Sequence, residues 1–331
     1  MNAVVYHWWP DATDSPPIQN LRAPLLPSIA TLRASDPNIP IYVLDCAAEH
    51  GHSYQDYPQR LGFTVVPWKF SLMHHDDKPG WRHLSRIFDL RRFAETISEE
   101  IILYCDTDVF WKKSPLPLRC NPERFCFNKY NTGFFYFGKN SNQASRFFET
   151  FEAYTITALN DDNFRFISRQ YAGYNEWYHV FDEAILGYMY HKHRELFDVI
   201  SLEEHCTISA MFPDNEPTLM DAESVRMIHG NGIHVKNEVA KNPLEVYYSR
   251  GLIPLVLSEF YEKLIQLLDP LEIYTPEEMA HYKPLQVSFG SKDFIQSIIN
   301  NKMLNNLYNL IDALKDCERI RSERLNWSYV S

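Results

Sequence analysis

Short apolar runs alternate with amphipathic segments along the first half of the chain. "NAVVYHW" is strand-like through Val4 and Val5, "IPIYVLDC" predicts a second strand, "LGFTVVPW" a third and "EEIILYCD" a fourth. Between them, "LRAPLLPSIATLRAS" reads as a loop and helix. "HLSRIFDLRRFAETIS" carries Leu84, Ile87, Phe88 and Ala94 at helical spacing. Strands of about 4–8 residues alternating with helices predict an α/β fold, a mostly parallel sheet with helices on both faces.

Further on, "RFCFNKYNTGFFYFGKNS" predicts two strands around a turn at Asn131-Thr132-Gly133. A helix in "SRFFETFEAYTITAL" follows, then the segments "HVFDEAILGYMYHKH" and "VRMIHGNGIHVKN". From about Asn242 the pattern turns helical. Ser291 suits an N-cap there, and an apolar stripe runs through Ile295, Ile299, Met303, Leu307, Leu310 and Leu314. The expected organisation is one domain over residues 1–254 and a C-terminal helical region over 255–331. That region braces the domain or offers a surface for a homodimer.

Composition narrows the class. With 45% hydrophobic and 23% charged residues, the 331-residue chain can bury a substantial core. A net charge of -11 excludes a general nucleic-acid binder, which needs a basic stripe, but leaves room for one small phosphorylated ligand. The N-terminus lacks a basic stretch followed by an apolar core, and no apolar run approaches ~18 residues. The expectation is a chain with no signal peptide and no membrane span, in the cytoplasm. Six cysteines in no C-x-x-C or zinc-ligand spacing fit a reducing compartment, with Cys105 read as a small buried hydrophobe. The 20 Tyr, 21 Phe and 7 Trp supply rings for the core or for stacking on bases and sugars.

The candidate chemistry starts at "LYCDTDVFW". In open α/β sheets ligands bind at the carboxyl ends of strands, and Asp106 and Asp108 stand at such an end. Like charges at i and i+2 of an extended chain point the same way, and a divalent cation relieves their repulsion. Hard carboxylate oxygens select Mg²⁺ or Mn²⁺. The competing reading is a solvated turn. "IHGNGIHVKN" offers His229 as an imidazole ligand, glycine amides for an anion and Lys236 as a point charge for phosphate. By itself it is equally a Gly-rich surface loop. With the aspartates it makes a two-carboxylate, one-histidine site.

Asn131 and Gly133 would meet sugar hydroxyls or simply form a tight turn. Asp182 and Glu183 precede a helical run, where acids also suit the helix dipole. Arg82 and Arg86 lie four apart on one helix face, placed to neutralise a diphosphate or to face solvent. No G-x-G-x-x-G follows the first strand, so a Rossmann dehydrogenase is excluded.

Taken in order, a first strand, an arginine-bearing helix, "LYCDTDVFW", "NTGFFYFG", "DE" and "HGNG" resemble the GT-A glycosyltransferases. "HGNG" is similar to the glycosyltransferase domain of the procollagen lysyl hydroxylases. The general plan is similar to the glycogenin-like and bacterial galactosyltransferase family. The resemblance covers about residues 2–254. It implies Asp106, Asp108 and His229 on Mn²⁺ or Mg²⁺, with Thr107 between the carboxylates. It also implies Gly230, Asn231, Gly232 and Lys236 near the phosphates, and Tyr6, His7 and Trp8 at the base and ribose. Arg82 and Arg86 would serve the donor phosphates or sugar. Asn131, Gly133, Asp182 and Glu183 would line the donor sugar and the reaction centre. Two positions depart from the pattern: His234 stands as an alternative to His229, and Asp182-Glu183 replaces the frequent Asp-Gln.

The implied activity is metal-dependent transfer of a sugar from a nucleoside-diphosphate sugar to a carbohydrate acceptor hydroxyl. Uridine is the commonest base in the family, and retention of anomeric configuration follows the nearest resemblances. Two other readings compete. A non-catalytic sugar-binding or scaffold subunit would keep the fold. A D-x-D phosphatase of the haloacid-dehalogenase type wants Thr or Val where this chain has Phe110, and wants its motif on the first strand.

Overall fold

The computed structural model describes residues 1–9, 25–46, 56–75, 81–107, 109–128, 131–161, 163–164, 181–201, 204–207 and 226–229. Gly230, Asn231, Gly232, His234 and Lys236, the partner aspartate Asp108 and the expected helical region 255–331 lie outside them.

Ten strands and five α-helices are described. The strands are β1 (Asn2–Trp8), β2 (Ile41–Asp45), β3 (Thr64–Pro67), β4 (Ile101–Cys105), β5 (Val109–Trp111), β6 (Phe125–Asn128), β7 (Asn131–Gly138), β8 (Phe197–Val199), β9 (His205–Thr207) and β10 (Met227–His229). The helices are α1 (Leu26–Ser35), α2 (Tyr57–Leu61), α3 (Trp81–Ala94), α4 (Asn142–Asn160) and α5 (Phe181–Lys192).

Seven strands form one sheet in the order β3-β2-β1-β4-β7-β6-β8. The block β3-β2-β1-β4 is parallel, β7 runs antiparallel to both β4 and β6, and β8 is parallel to β6. This mostly parallel mixed sheet flanked by helices is the α/β architecture read from the alternating pattern. The chain leaves β1 toward β2 and β3, then returns to β4 on the other side of β1. That reversal opens a crevice at the carboxyl ends of β1 and β4, where such sheets bind ligands. A smaller three-stranded sheet, β5-β10-β9, carries the chain on from β4.

Period-two alternation explains the layering. Val5 joins the core formed with Leu84, Ile87 and Leu90 of α3, and with residues of α4 and α5. Tyr6, one residue on, turns to the opposite face and hydrogen-bonds Ser28 of α1 at 3.0 Å. The core is strongly aromatic: Phe125 and Phe147 stack with centroids 3.8 Å apart, and Phe135, Phe137 and Phe151 are fully enclosed. Much of the aromatic excess is thereby accounted for by packing. At the start of α4, Ser141 accepts from the amides of Gln143 and Ala144, the N-cap that ends the preceding turn.

One local expectation fails. Asn131-Thr132-Gly133 is not the turn between two strands but the opening of β7, with Asn128 paired to Asn131. The connection is shorter than an Asn-x-Gly signal suggests, because the antiparallel ladder extends through these residues. No described helix is long and apolar enough to cross a membrane.

Candidate active site

Arg86 is the hub of the crevice. It sits on the inward face of α3, 3% exposed, and its guanidinium joins two carboxylates. Nη1 donates to Asp106 Oδ1 at 2.7 Å and to the Tyr104 hydroxyl at 3.0 Å. Nε donates to Asp182 Oδ2 at 3.1 Å, and Nη2 donates to the same oxygen and to Thr132 Oγ1. Thr132 Oγ1 in turn donates to Asp182 Oδ2 at 2.9 Å. The bond from Tyr104 to Asp106 Oδ1 closes the network.

Burial works against the charge on Arg86, but Asp182, Tyr104 and Asp106 overcome it and hold its pKa well above the ordinary guanidinium value. Tyr104 is pushed up by burial and by Asp106, which Arg86 only partly offsets, so it stays a phenol and a donor. Asp182, in the first turn of α5, is fully buried, and its Oδ1 has no hydrogen-bond partner among the described residues. Its neighbour Glu183 accepts the Thr132 amide at 3.2 Å through Oε1.

Asp106 follows the last residue of β4. Its amide donates to the Gly133 carbonyl at 2.7 Å and its own carbonyl accepts from Val109, a tight turn into β5. The second carboxylate oxygen, Oδ2, lies 3.8 Å from His229 Nε2. His229 ends β10, in register with Val109 of β5, so the short sheet delivers the imidazole to the aspartate turn. Behind it, His229 Nδ1 lies 3.2 Å from His205 Nε2, the two rings stacked at 14°. His205, on the parallel neighbour β9, pairs with Met227 of β10, which places it on the same face as His229 two residues on. Arg226, just before β10, anchors the strand: its carbonyl accepts from Lys112 and Lys113, and its Nη1 donates to the carbonyls of Pro115 and Pro117.

The donor set suits a hard divalent cation. An oxygen and an imidazole nitrogen face each other beyond hydrogen-bond range but within the span of two ligands on one ion. Among the described residues, Asp106, Asp182 and Glu183 gather around the one guanidinium of Arg86 and its partner Thr132. In sequence Asp108 stands between Thr107 and the Val109 that pairs with His229.

Of the residues singled out from sequence, Asp106, Arg86, Asp182, Glu183 and His229 are thus linked, with Gly133 touching them through its carbonyl. Asn131 opens the same strand, and Thr107 follows Asp106 in the turn. Arg82 lies a turn before Arg86 on α3, its guanidinium over the Trp81 ring at 5.5 Å. Tyr6, His7 and Trp8 form the end of β1, and all three are buried: Tyr6 on Ser28, His7 on Asp89. Sequence reasoning missed Thr132, Tyr104 and His205. Tyr104 and Thr132 sit beside recognised motif residues, whereas nothing local marks His205.

Solved structures that resemble the chain include several glycosyltransferases, all at low identity. The galactosyltransferase LgtC, solved in complex with donor and acceptor sugar analogs, is 14% identical, with 85% of this chain and 100% of LgtC covered and a TM-score of 0.48. GlyE of Streptococcus pneumoniae TIGR4 is 13% identical at a TM-score of 0.44; the match covers 69% of this chain but only 53% of GlyE, about half its length. Mouse xyloside xylosyltransferase 1 is 12% identical over 70% of this chain and 98% of its own, at a TM-score of 0.43. No protein-family model matches the chain, and no curated protein does.

Proposed function

We propose that the chain is a GT-A glycosyltransferase that moves a sugar from a nucleoside-diphosphate sugar, a UDP-sugar by the family resemblance, to the hydroxyl of a carbohydrate acceptor. The observation that carries this reading is the Asp106 Oδ2 and His229 Nε2 pair at the carboxyl end of β4, beside a buried Asp182 locked by Arg86. Asp106, Asp108 and His229 would hold Mn²⁺ or Mg²⁺. Bound there, the cation would neutralise charge developing on the leaving diphosphate. The resemblance to the procollagen lysyl hydroxylases in particular rests on "HGNG" following the Asn131-Thr132-Gly133 segment in the sequence.

The chain's own residues supply the rest. Arg86 fixes both carboxylates, so neither has to reorganise as positive charge develops at the anomeric carbon. Asp182 Oδ1 has no hydrogen-bond partner among the described residues, a fixed oxygen suited to an oxocarbenium-like centre. Glu183, held through Thr132, borders the same point. Gly230, Gly232 and Lys236 would approach the phosphates, Arg82 would serve the donor phosphates or sugar, and the buried Tyr6, His7 and Trp8 would support the nucleotide end from behind the crevice wall. The family resemblance favours retention of the anomeric configuration, and Asp182 would then stabilise the oxocarbenium-like centre rather than deprotonate the acceptor.

Calorimetric titration of UDP and GDP, with and without Mn²⁺, tests the reading beside Asp108→Ala and His229→Ala. Metal-dependent binding of one nucleotide, lost in both variants, is expected. No metal-dependent binding of either would overturn it in favour of a non-catalytic scaffold. NMR of the product would then report the anomer, and a β-linkage from an α-donor would refute retention.

A further inference from the structure

A second group of ligand-type side chains lies where β1, β2 and α3 meet. His7 is the penultimate residue of β1, Cys46 follows the last residue of β2, and Asp89 faces inward from α3. Their donor atoms all lie within 4.8 Å of one another. His7 Nε2 is 2.9 Å from Asp89 Oδ2 and 3.4 Å from Cys46 Sγ. We propose that His7, Cys46 and Asp89 form a binding site for a borderline-soft divalent cation of the zinc type, with no fourth protein ligand among the described residues.

Geometry and ligand chemistry agree on this class. Zinc takes imidazole nitrogen, thiolate and carboxylate in tetrahedral arrangement, whose edges measure roughly 3.3–3.6 Å at ordinary bond lengths. The nitrogen–sulfur edge already matches. The nitrogen–oxygen edge is shorter, because His7 and Asp89 are hydrogen-bonded to each other. A thiolate ligand disfavours Mg²⁺ and Mn²⁺, so this site and the Asp106–His229 pair select different ions.

The three ligands are held in advance. Asp89 Oδ1 accepts the Ser71 amide at 2.9 Å, and Oδ2 accepts the Ser85 hydroxyl at 3.2 Å, the outer-sphere bonds that orient a ligating carboxylate. The Cys46 amide donates to the Trp8 carbonyl at 3.0 Å, tying the end of β2 to β1. The His7 ring meets Trp9 and Phe70, each with centroids 5.1 Å away. His7 and Asp89 are buried and Cys46 is half-buried, which leaves the approach on the sulfur side.

Binding exchanges protons for metal bonds and involves no redox change. Burial first, then Asp89 and Asp45, pushes the Cys46 thiol up, so a cation bound there would displace the thiol proton. The hydrogen between His7 Nε2 and Asp89 moves to Nδ1, which has no hydrogen-bond partner among the described residues. No spacing rule reveals such a site, because its ligands come from three separate elements.

Cobalt(II) added anaerobically to the metal-free full-length chain tests the proposal. Sulfur-to-cobalt charge-transfer absorption and the intense visible bands of tetrahedral cobalt are expected, both reversed by stoichiometric Zn²⁺. Cys46→Ser should abolish the charge-transfer band with an unchanged far-ultraviolet circular dichroism spectrum. Ser85→Ala should weaken Zn²⁺ binding by about 10–100-fold. Absence of the charge-transfer band in the wild type, or its persistence in Cys46→Ser, would overturn the assignment. The band reports a thiolate ligand, so the result does not depend on whether Asp106 and His229 hold a metal.

Discussion

Arg86 decides whether the crevice can exist. Its guanidinium is the counter-charge for Asp182, whose side chain has no exposure, and for one oxygen of Asp106. Arg86→Met would keep much of the side-chain volume but strand a buried carboxylate, a change that costs about 3–5 kcal/mol. Urea denaturation should show that loss, and Arg86→Met combined with Asp182→Asn should recover most of it. A loss under about 1 kcal/mol for the single variant would mean that Asp182 is solvated when Arg86 is absent. The sequence made Arg86 a candidate but not a buried one, because an arginine on an amphipathic helix ordinarily faces water. Its partner Asp182 lies 96 positions away, and no local pattern encodes a contact of that range. Asp106 was legible for the opposite reason: its signal, acids closing a run of "IILYC", is contained within a few residues.

At the level of elements, long strands and helices were readable and three-residue strands were not. β1, β2, β4, α3 and α4 each carry a periodic run, and their alternation implied the parallel block. β5, β9 and β10 have three residues each, too short for a period to show, so the small sheet, and with it His205, could not be read in advance. That sheet gives the site its second histidine. A bond between His229 Nδ1 and His205 Nε2 needs one proton between them. If His229 donates it, the Nε2 lone pair faces Asp106 and a cation; His205 is then the acceptor that selects the tautomer. His205→Phe keeps a planar ring beside His229 and removes the acceptor. We expect Mn²⁺ affinity to fall by about 10–100-fold, read as free Mn²⁺ by electron paramagnetic resonance, with the fold intact. Unchanged affinity in a folded variant would reduce the pair to packing.

For the molecule as a whole, charge sets the terms of binding. The chain carries a net charge of -11, and Asp106, Asp182 and Glu183 outnumber the one guanidinium among them. A free diphosphate entering this field meets repulsion, whereas a cation entering first converts the same crevice into an attractive one. Nucleotide and metal should therefore bind with positive coupling rather than independently. Each ligand of the folded state adds RT ln(1 + [L]/Kd), about 2.7 kcal/mol at a hundredfold excess over Kd, so heat unfolding reads the coupling directly. Saturating MnCl₂ and UDP together should raise Tm by more than the sum of their separate shifts. A coupling of about 1–3 kcal/mol corresponds to an excess of a few degrees for a chain of this size. Asp106→Asn should leave the smaller separate shifts and erase the excess, because it removes the anionic ligand while keeping the shape of the side chain. If the shifts simply add in the wild type, the cation is not held against the phosphates, and the two ligands occupy unrelated places on the protein.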